Sequence, residues 1–465
     1  MSATTTETRA PAKRPWKQAA LWLVCLAPFF YLSYGVANHL AAQRGDVPAL
    51  VFAWERSIPF LAWTIFPYWS INVFYGLSLF LCRTRDDVHT HGKRLLTAQL
   101  IAVSCFLLFP LGFSFGQPAA DGAAGFMFAA LRGFDQPFNQ APSLHIALVV
   151  ILWDVYRRLI PRGWHWLLHL WSLAIALSVL TTYQHHFIDI PTGALLGLFC
   201  LWLWPLDSAS PLRAARMTRD PKRRRLAAYY ALGSACCFIL AGIGYAMING
   251  AALWLCWPGV ALGFVALNYA WFGANGFQKD AHGRISIAAR WLLAPYRWGA
   301  WLNSRLWTRG QAQAVRVDDT RFDGRLWLGR MPTAVQARAL GIARIVDVCA
   351  ELPAPFSIPT RCVPMLDLIP ADTDTLREAA IAIQAQLDNA RDHDGHDGHD
   401  RHDGAVLVCC ALGYSRSAAA VAAWMLQYGH ANDADAAIAQ LQRARPQLVL
   451  HEAHRLALAS LAITP

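Results

Sequence analysis

The chain is short of charge. Asp, Glu, Lys and Arg make up 15% of its 465 residues, against about 25% in an average soluble domain. That shortfall excludes an ordinary soluble protein of this length. It also excludes a disordered chain, which is charge-rich and poor in apolar residues. After about residue 280 the chain lacks any apolar run long enough to cross a bilayer. With hydrophobic types at 55%, this second absence excludes a protein that is membrane from end to end. Together the two absences predict a membrane half followed by a soluble half. Neither half contains a nucleotide or metal motif, so no cofactor and no metal are expected.

Apolar runs of about 20 residues, the length needed to span a bilayer, occur near 18–38, 58–82, 95–116, 143–159, 164–183, 188–206, 228–248 and 251–272. The last two are joined by an Asn249-Gly250 turn. Residues 1–17 read as a polar tail, because no small-residue cleavage site follows the first run. With that tail inside, the inner segments 1–17, 83–94, 157–162 and 207–227 hold 18 Lys and Arg, and the outer loops hold 3. The bias is the positive-inside pattern, and eight spans return the C-terminus to the cytoplasm. The run Lys222-Arg223-Arg224-Arg225 lacks the aromatic interleaving that stacks bases. It reads as a membrane anchor, and no nucleic acid is expected as a partner.

Seven of the eleven cysteines lie in the expected spans, where they serve as small apolar residues. Cys349, Cys362, Cys409 and Cys410 lie in the soluble part, in a reducing compartment where disulfides are rare. At 284–308, Arg and Trp alternate with small apolar residues. This pattern fits either a helix lying in the membrane interface or a linker packed on the soluble domain. From 320 onward, short β-rich runs alternate with helical patterns at 373–388, 415–428 and 432–443, which predicts an α/β domain. The stretch 392–404 carries four His and five Asp and reads as a solvated insert rather than a metal site.

The sharpest signal is VLVCCALGYSRSAAAVAAWML at 406–426. An apolar strand ends at Cys410, a loop follows, and a helix starts near Arg416. A thiol at a helix N-terminus is stabilised as thiolate. The backbone N–H groups from Ala411 to Ser415, Tyr414 among them, can form a nest for phosphate oxygens. Gly413 permits the turn that aims them. Arg416 can grip two oxygens with its planar fork. Ser417 can donate a hydrogen bond to the sulfur. The chemistry is attack of the thiolate on phosphorus. The stretch resembles the signature of the cysteine-dependent tyrosine and dual-specificity phosphatases, over roughly 320–460. That resemblance implies a phosphocysteine intermediate and a general acid on an upstream loop. Asp367 matches the acid, with Asp372 and Asp374 as alternates. Arg445-Pro446 resembles a structural helix end. The residue before the nucleophile, usually His in that family, is Cys409 here. A protective Cys409–Cys410 disulfide is one consequence to consider.

A second constellation joins FDQPFNQAPSLHIAL at 134–148 with TTYQHHFIDIPTGALLG at 181–197. His185 and Asp189 are four apart, on one helical face. A carboxylate can hold an imidazole in the tautomer that leaves its other nitrogen free to attack. His145 can protonate a departing oxygen. These segments resemble the type-2 phosphatidic acid phosphatase superfamily, over about 60–206. The resemblance implies His185 as nucleophile, Asp189 as its orienter, His145 as acid and Ser143 as a phosphate contact, with His186 only a neighbour. The phosphate-gripping Arg of that superfamily is Val179 here, and Arg132 is the one basic residue of the 117–142 loop. Asp135-x3-Asn139 is similar to the branch containing inositol phosphorylceramide and sphingomyelin synthases, which implies head-group transfer as well as hydrolysis.

The expected fold class is an all-α polytopic membrane domain of about eight helices followed by a cytoplasmic α/β domain. The boundaries read as a tail at 1–17, the membrane domain at 18–206, a basic loop and two further spans at 207–283, a linker at 284–319 and the α/β domain at 320–465. The expected protein is a multi-pass bacterial inner-membrane phosphatase or phosphotransferase with both termini cytoplasmic. Its expected partner is a phosphorylated lipid or phosphoprotein substrate. A membrane-anchored protein phosphatase with a degenerate membrane domain is the alternative.

Overall fold

The computed structural model describes residues 14–133, 136–317, 324–393 and 404–463. Most of the 392–404 insert, and Asp135, lie outside the described residues. The chain divides into two compact units, Met1–Ser210 and Pro211–Pro465.

The first unit is helical: α1 (Trp16–Ala42), α2 (Ile65–Leu81), α3 (Arg85–Leu108), α4 (Gly122–Arg132), α5 (Leu144–Leu159), α6 (His165–Thr181) and α7 (Asp189–Leu203). Helix α5 packs against α2, α3, α6 and α7. Thr84 starts α3 with a capping box, accepting from Asp87 N at 3.0 Å while the Asp87 carboxylate accepts from Thr84 N at 3.0 Å. The charged stretch 85–94 is therefore helical, and the buried Arg94 donates to Asp154 of α5 at 2.9 Å and to the carbonyl of Trp204 at 2.7 Å. The run expected at 95–116 is helical only to Leu108. Phe109 precedes Pro110, which pushes it out of the helical region. The segment expected as a long loop at 117–142 contains α4.

The second unit begins with a helical hairpin, α8 (Pro221–Met247) and α9 (Cys256–Leu267), which continues through a π-helical turn at Asn268–Phe272. Asp220 caps α8, with Pro221 at its first position. Two helices follow, α10 (Ile287–Leu292) and α11 (Ala294–Trp307), then β1 (Ala314–Arg316), β2 (Leu326–Arg330), α12 (Ala334–Ala339), β3 (Ile342–Cys349), β4 (Thr360–Met365), α13 (Thr373–His393), β5 (Ala405–Cys410), α14 (Arg416–Gln427), α15 (Ala434–Ala444) and α16 (Glu452–Ile463). The sheet is mixed, in the order β1-β2-β5-β3-β4. Only the β1–β2 pair is antiparallel. Strand β5 is central and buried along its whole length, as expected of a parallel strand covered on both faces.

Among the described residues, five helical segments are long and apolar enough to cross a membrane: Trp16–Ala42, Ala62–Leu81, Arg162–Thr181, Pro221–Met247 and Gly250–Phe277. The other three expected spans fall on α3, whose first turns are charged, and on α5 and α7, which have 16 and 15 residues. The 284–308 segment forms α10 and α11. Its polar side packs on the α/β domain, with Ser304 donating to the carbonyl of Ala411 and Arg305 to that of Met331. Its other side leaves Trp291, Trp298, Trp301 and Trp307 exposed.

Lys279, just past the hairpin, anchors this arrangement. Its side chain is fully buried against Asp347 of β3 and donates to the carbonyls of Cys349 and Leu352. Burial acts to lower the ammonium, but the Asp347 charge outweighs it and raises the group above its ordinary range. Removing one partner of a buried pair strands the other charge, at about 3–5 kcal/mol. Lys279→Met is expected to lower the thermal unfolding midpoint of the full chain markedly. Lys279→Met/Asp347→Leu is expected to recover most of that loss.

Candidate active site

Cys410 is the last residue of β5 and Arg416 the first of α14, so the intervening loop is framed by two rigid elements. The Cys410 sulfur accepts from Gly413 N at 3.2 Å and lies 3.4 Å from the Ser417 hydroxyl. Gly413 has φ +77°, and a Cβ there would lie 2.4 Å from the Gly329 carbonyl carbon. Only glycine fits where this loop passes β2. Arg445 stacks on the Tyr414 ring at 4.8 Å, and Val449 N donates to the Tyr414 carbonyl at 2.9 Å. The Ser415 hydroxyl meets His454 Nε2 at 3.2 Å. The loop is thus held from behind by Arg445, Val449 and His454.

Arg416 is buried, and its fork is already engaged. Nη1 and Nη2 donate to the two Glu351 carboxylate oxygens at 2.8 and 2.6 Å, and Nη1 also donates to the Met365 carbonyl at 3.0 Å. Nη2 pairs with Asp367 Oδ1 at 3.0 Å. Glu351 was not among the residues singled out from sequence. The only signal for it was an acid directly following an apolar strand, in a position that burial makes costly without a cation. Burial acts to raise Glu351, but Arg416 outweighs it and holds the carboxyl below its usual range. Burial pushes the Asp367 carboxyl above the usual carboxylate range; Arg416 opposes this and Glu351 adds to it. The alternates are occupied elsewhere. Asp372 accepts from Thr375 N at 2.8 Å at the start of α13, and Asp374 pairs with Arg377 at 3.0 Å.

Residues 326–462 match the family model described as "Dual specificity phosphatase, catalytic domain". The C-terminal part of the chain is a cysteine-type dual-specificity phosphatase domain. By class it is a phosphoric monoester hydrolase. A comparison with curated proteins returns no match. Similar solved structures include PTPMT1 in complex with PI(5)P, at 15% identity over 33% of this chain and 96% of that one, with a TM-score of 0.26. Human DUSP28 is similar at 23% identity over 33% and 94%, with a TM-score of 0.26. Tk-PTP in its active form is similar at 20% identity over 33% and 98%, with a TM-score of 0.27.

Within the phosphatase domain Cys409 and Cys410 are both free thiols. Consecutive strand residues face opposite sides of the sheet. Cys409 therefore packs on Met331, 3.8 Å from its sulfur, and burial pushes its thiol well up. No disulfide joins the two.

The second constellation lies in the first unit, at the start of α5 and in the turn leading into α7. His185 precedes that helix, so it does not share a helical face with Asp189 as expected, and the turn brings the two side chains together. The His185 ring donates from Nδ1 to Asp189 Oδ2 at 3.1 Å, and its Nε2 meets the Ser143 hydroxyl at 3.2 Å. The two helices approach closely because residue 193 is glycine; a Cβ there would lie 2.4 Å from the Ser143 carbonyl oxygen. His145 stacks on Tyr68 at 4.1 Å, its buried Nε2 has no hydrogen-bond partner among the described residues, and it shares a cavity of about 70 Å³ with His185. His186 is tied into a separate pair, donating from Nδ1 to the buried Glu55 at 2.9 Å while Nε2 accepts from Ser114 N. Glu55 was missed from sequence, where it reads as an ordinary loop acid. Val179 sits in an apolar cluster with Ile65 and Tyr68. Arg132 instead lines, with His185, Gln117 and Gln140, a cavity of about 220 Å³.

Gly413→Ala tests the framing of the thiol loop. The left-handed conformation alone costs about 1–2 kcal/mol for a residue with a Cβ, and a shift of about 1 Å in a reacting group can cost about 10²-fold. The variant is expected to fold and to lose most phosphatase activity, measured as phosphate release from an aryl phosphate.

Proposed function

We propose that the chain is a bifunctional membrane enzyme acting on phosphorylated lipids. One site is a cysteine phosphatase on the cytoplasmic side and the other a histidine-dependent phosphoryl-transfer site on the outer side. The observation that carries the first site is Arg416, at the end of the loop that starts at Cys410, gripped by Glu351 with one Nη2 donor paired to Asp367. Of the five guanidinium N–H groups, those on Nη1 go to Glu351 and Met365 and one on Nη2 goes to Glu351. The Nε–H and the Nη2–H now paired with Asp367 are the two that a phosphate can take. Substrate binding then releases Asp367 to act as acid.

The Cys410 thiolate attacks phosphorus, forming the S–P bond as the P–O bond to the leaving group breaks. Asp367 gives its proton to the departing oxygen. Water then attacks phosphorus, Asp367 takes its proton, and the S–P bond breaks to free Cys410. Gly413, Tyr414 and Ser415 supply backbone donors, and Ser417 stabilises the leaving sulfur. Asp367 acts only while protonated, so activity falls as pH rises through its pKa. Burial raises that pKa, and the descending limb therefore lies above the range of an ordinary aspartate. Asp367→Asn is expected to lower kcat by about 10²–10⁴-fold and to remove the limb from the pH–kcat profile.

At the second site His185 attacks phosphorus, Asp189 orients it, His145 protonates the leaving oxygen and Ser143 contacts the phosphate. Arg132 supplies the cation that Val179 cannot. The anchored-phosphatase reading is favoured by that same Val179. The two readings separate in one assay on the full chain in phosphatidic acid vesicles and on phosphotyrosine peptide. Cys410→Ser and His185→Ala should each remove a distinct part of lipid phosphate release. Lipid turnover untouched by either variant sinks the bifunctional reading. Peptide turnover lost in Cys410→Ser and indifferent to His145→Ala then favours the anchored phosphatase.

A further inference from the structure

The second unit joins a membrane-type hairpin to a phosphatase domain, and one hydroxyl of that hairpin reaches the acid loop. Tyr269 lies in the π-helical turn that ends α9 and is 1% exposed. Its hydroxyl donates to the backbone carbonyl of Asp367 at 2.9 Å. The next residue, Leu368, has φ +60°, in the left-handed region that a branched side chain seldom adopts. Such a conformation persists only where its surroundings hold it. The Asp367–Leu368 peptide is what the tyrosine hydroxyl holds, and the orientation of that peptide sets where the Asp367 carboxylate points.

Tyr269 is itself braced. Its ring lies 5.3 Å from that of Tyr230 on α8, and Tyr230 lies 5.8 Å from Tyr296 on α11. Arg223, from the basic run opening α8, donates from Nε to the Tyr269 carbonyl at 3.2 Å. A buried tyrosine hydroxyl needs some acceptor. The acceptor here is the carbonyl of the acid residue itself, and the donor comes from outside the matched region 326–462.

We infer that Tyr269 is a positioning residue for the general acid, so that the membrane hairpin completes the phosphatase active site. This rests on the reading of Asp367 as the acid. It requires that Tyr269→Phe, which keeps the ring and its packing, impair the acid step selectively. A good leaving group departs without a proton and a poor one does not, so substrates of graded leaving-group strength isolate that step.

The test compares wild type, Tyr269→Phe and Asp367→Asn in the full purified chain, on p-nitrophenyl phosphate and on phenyl phosphate. Asp367→Asn should lose far more activity on phenyl phosphate. Tyr269→Phe should lose about tenfold on phenyl phosphate, a fraction of the about 10²–10⁴-fold that general acids contribute, and less than about threefold on p-nitrophenyl phosphate. Retained turnover of the good leaving group also reports that the variant is folded. Equal loss on both substrates, or loss on neither, overturns the assignment of Tyr269 while leaving Asp367 in place. If Asp367→Asn shows no leaving-group dependence, the acid reading fails and this inference falls with it.

Discussion

A buried guanidinium has to be neutralised, and Arg416 meets that requirement with two carboxylates. Glu351 takes both ends of the fork and Asp367 takes one remaining donor. Each partner is in turn held by residues that precede the sheet. Lys279 ties down the carbonyls of Cys349 and Leu352 on either side of Glu351. Tyr269 ties down the carbonyl of Asp367. Lys279, just past the hairpin, and Tyr269, at the end of α9, thus hold the backbone at both carboxylates of the Glu351–Arg416–Asp367 cluster. In a low-dielectric interior such a cluster is costly to leave half satisfied, so its members specify one another's positions.

The first unit follows the same rule with different residues. Arg94 is buried and joins Asp154 on α5 to the carbonyl of Trp204 beyond α7. Asp154 also accepts from Arg157 and Arg158. These groups lie toward the C-terminal end of α5, and His145 lies at its start. A helix of 16 residues is about 24 Å long. Nine residues (154 less 145), about 14 Å of helix, therefore separate Asp154 from His145, with apolar side chains between.

Much of the phosphatase site was legible because its residues are local. Cys410, Gly413, Arg416 and Ser417 fall within eight positions, and a strand–loop–helix sequence places them without help from the rest of the chain. Asp367 was legible through its loop. Glu351, Lys279 and Tyr269 were not, since nothing in a strand end, a linker lysine or a helix tyrosine says which buried group it will meet. The run at 95–116 was read as one span because apolar content alone does not show that Pro110 ends the helix. The 284–308 segment fitted two descriptions equally. Only packing showed that its serine and arginine face the sheet while its tryptophans do not.

Periodicity, charge placement and one local motif were enough to determine an apolar helical part, an α/β part and a thiol on a phosphate-type loop. These depend on residues near one another in the chain, where spacing dictates geometry. The tertiary structure alone decided which carboxylate holds Arg416, which Asp faces it, and which hydroxyl orients that Asp. Those choices join Glu351 to Arg416 across 65 positions, Asp367 to Arg416 across 49 (416 less 367), and Tyr269 to Asp367 across 98. Over such separations only the packed core can say what touches what.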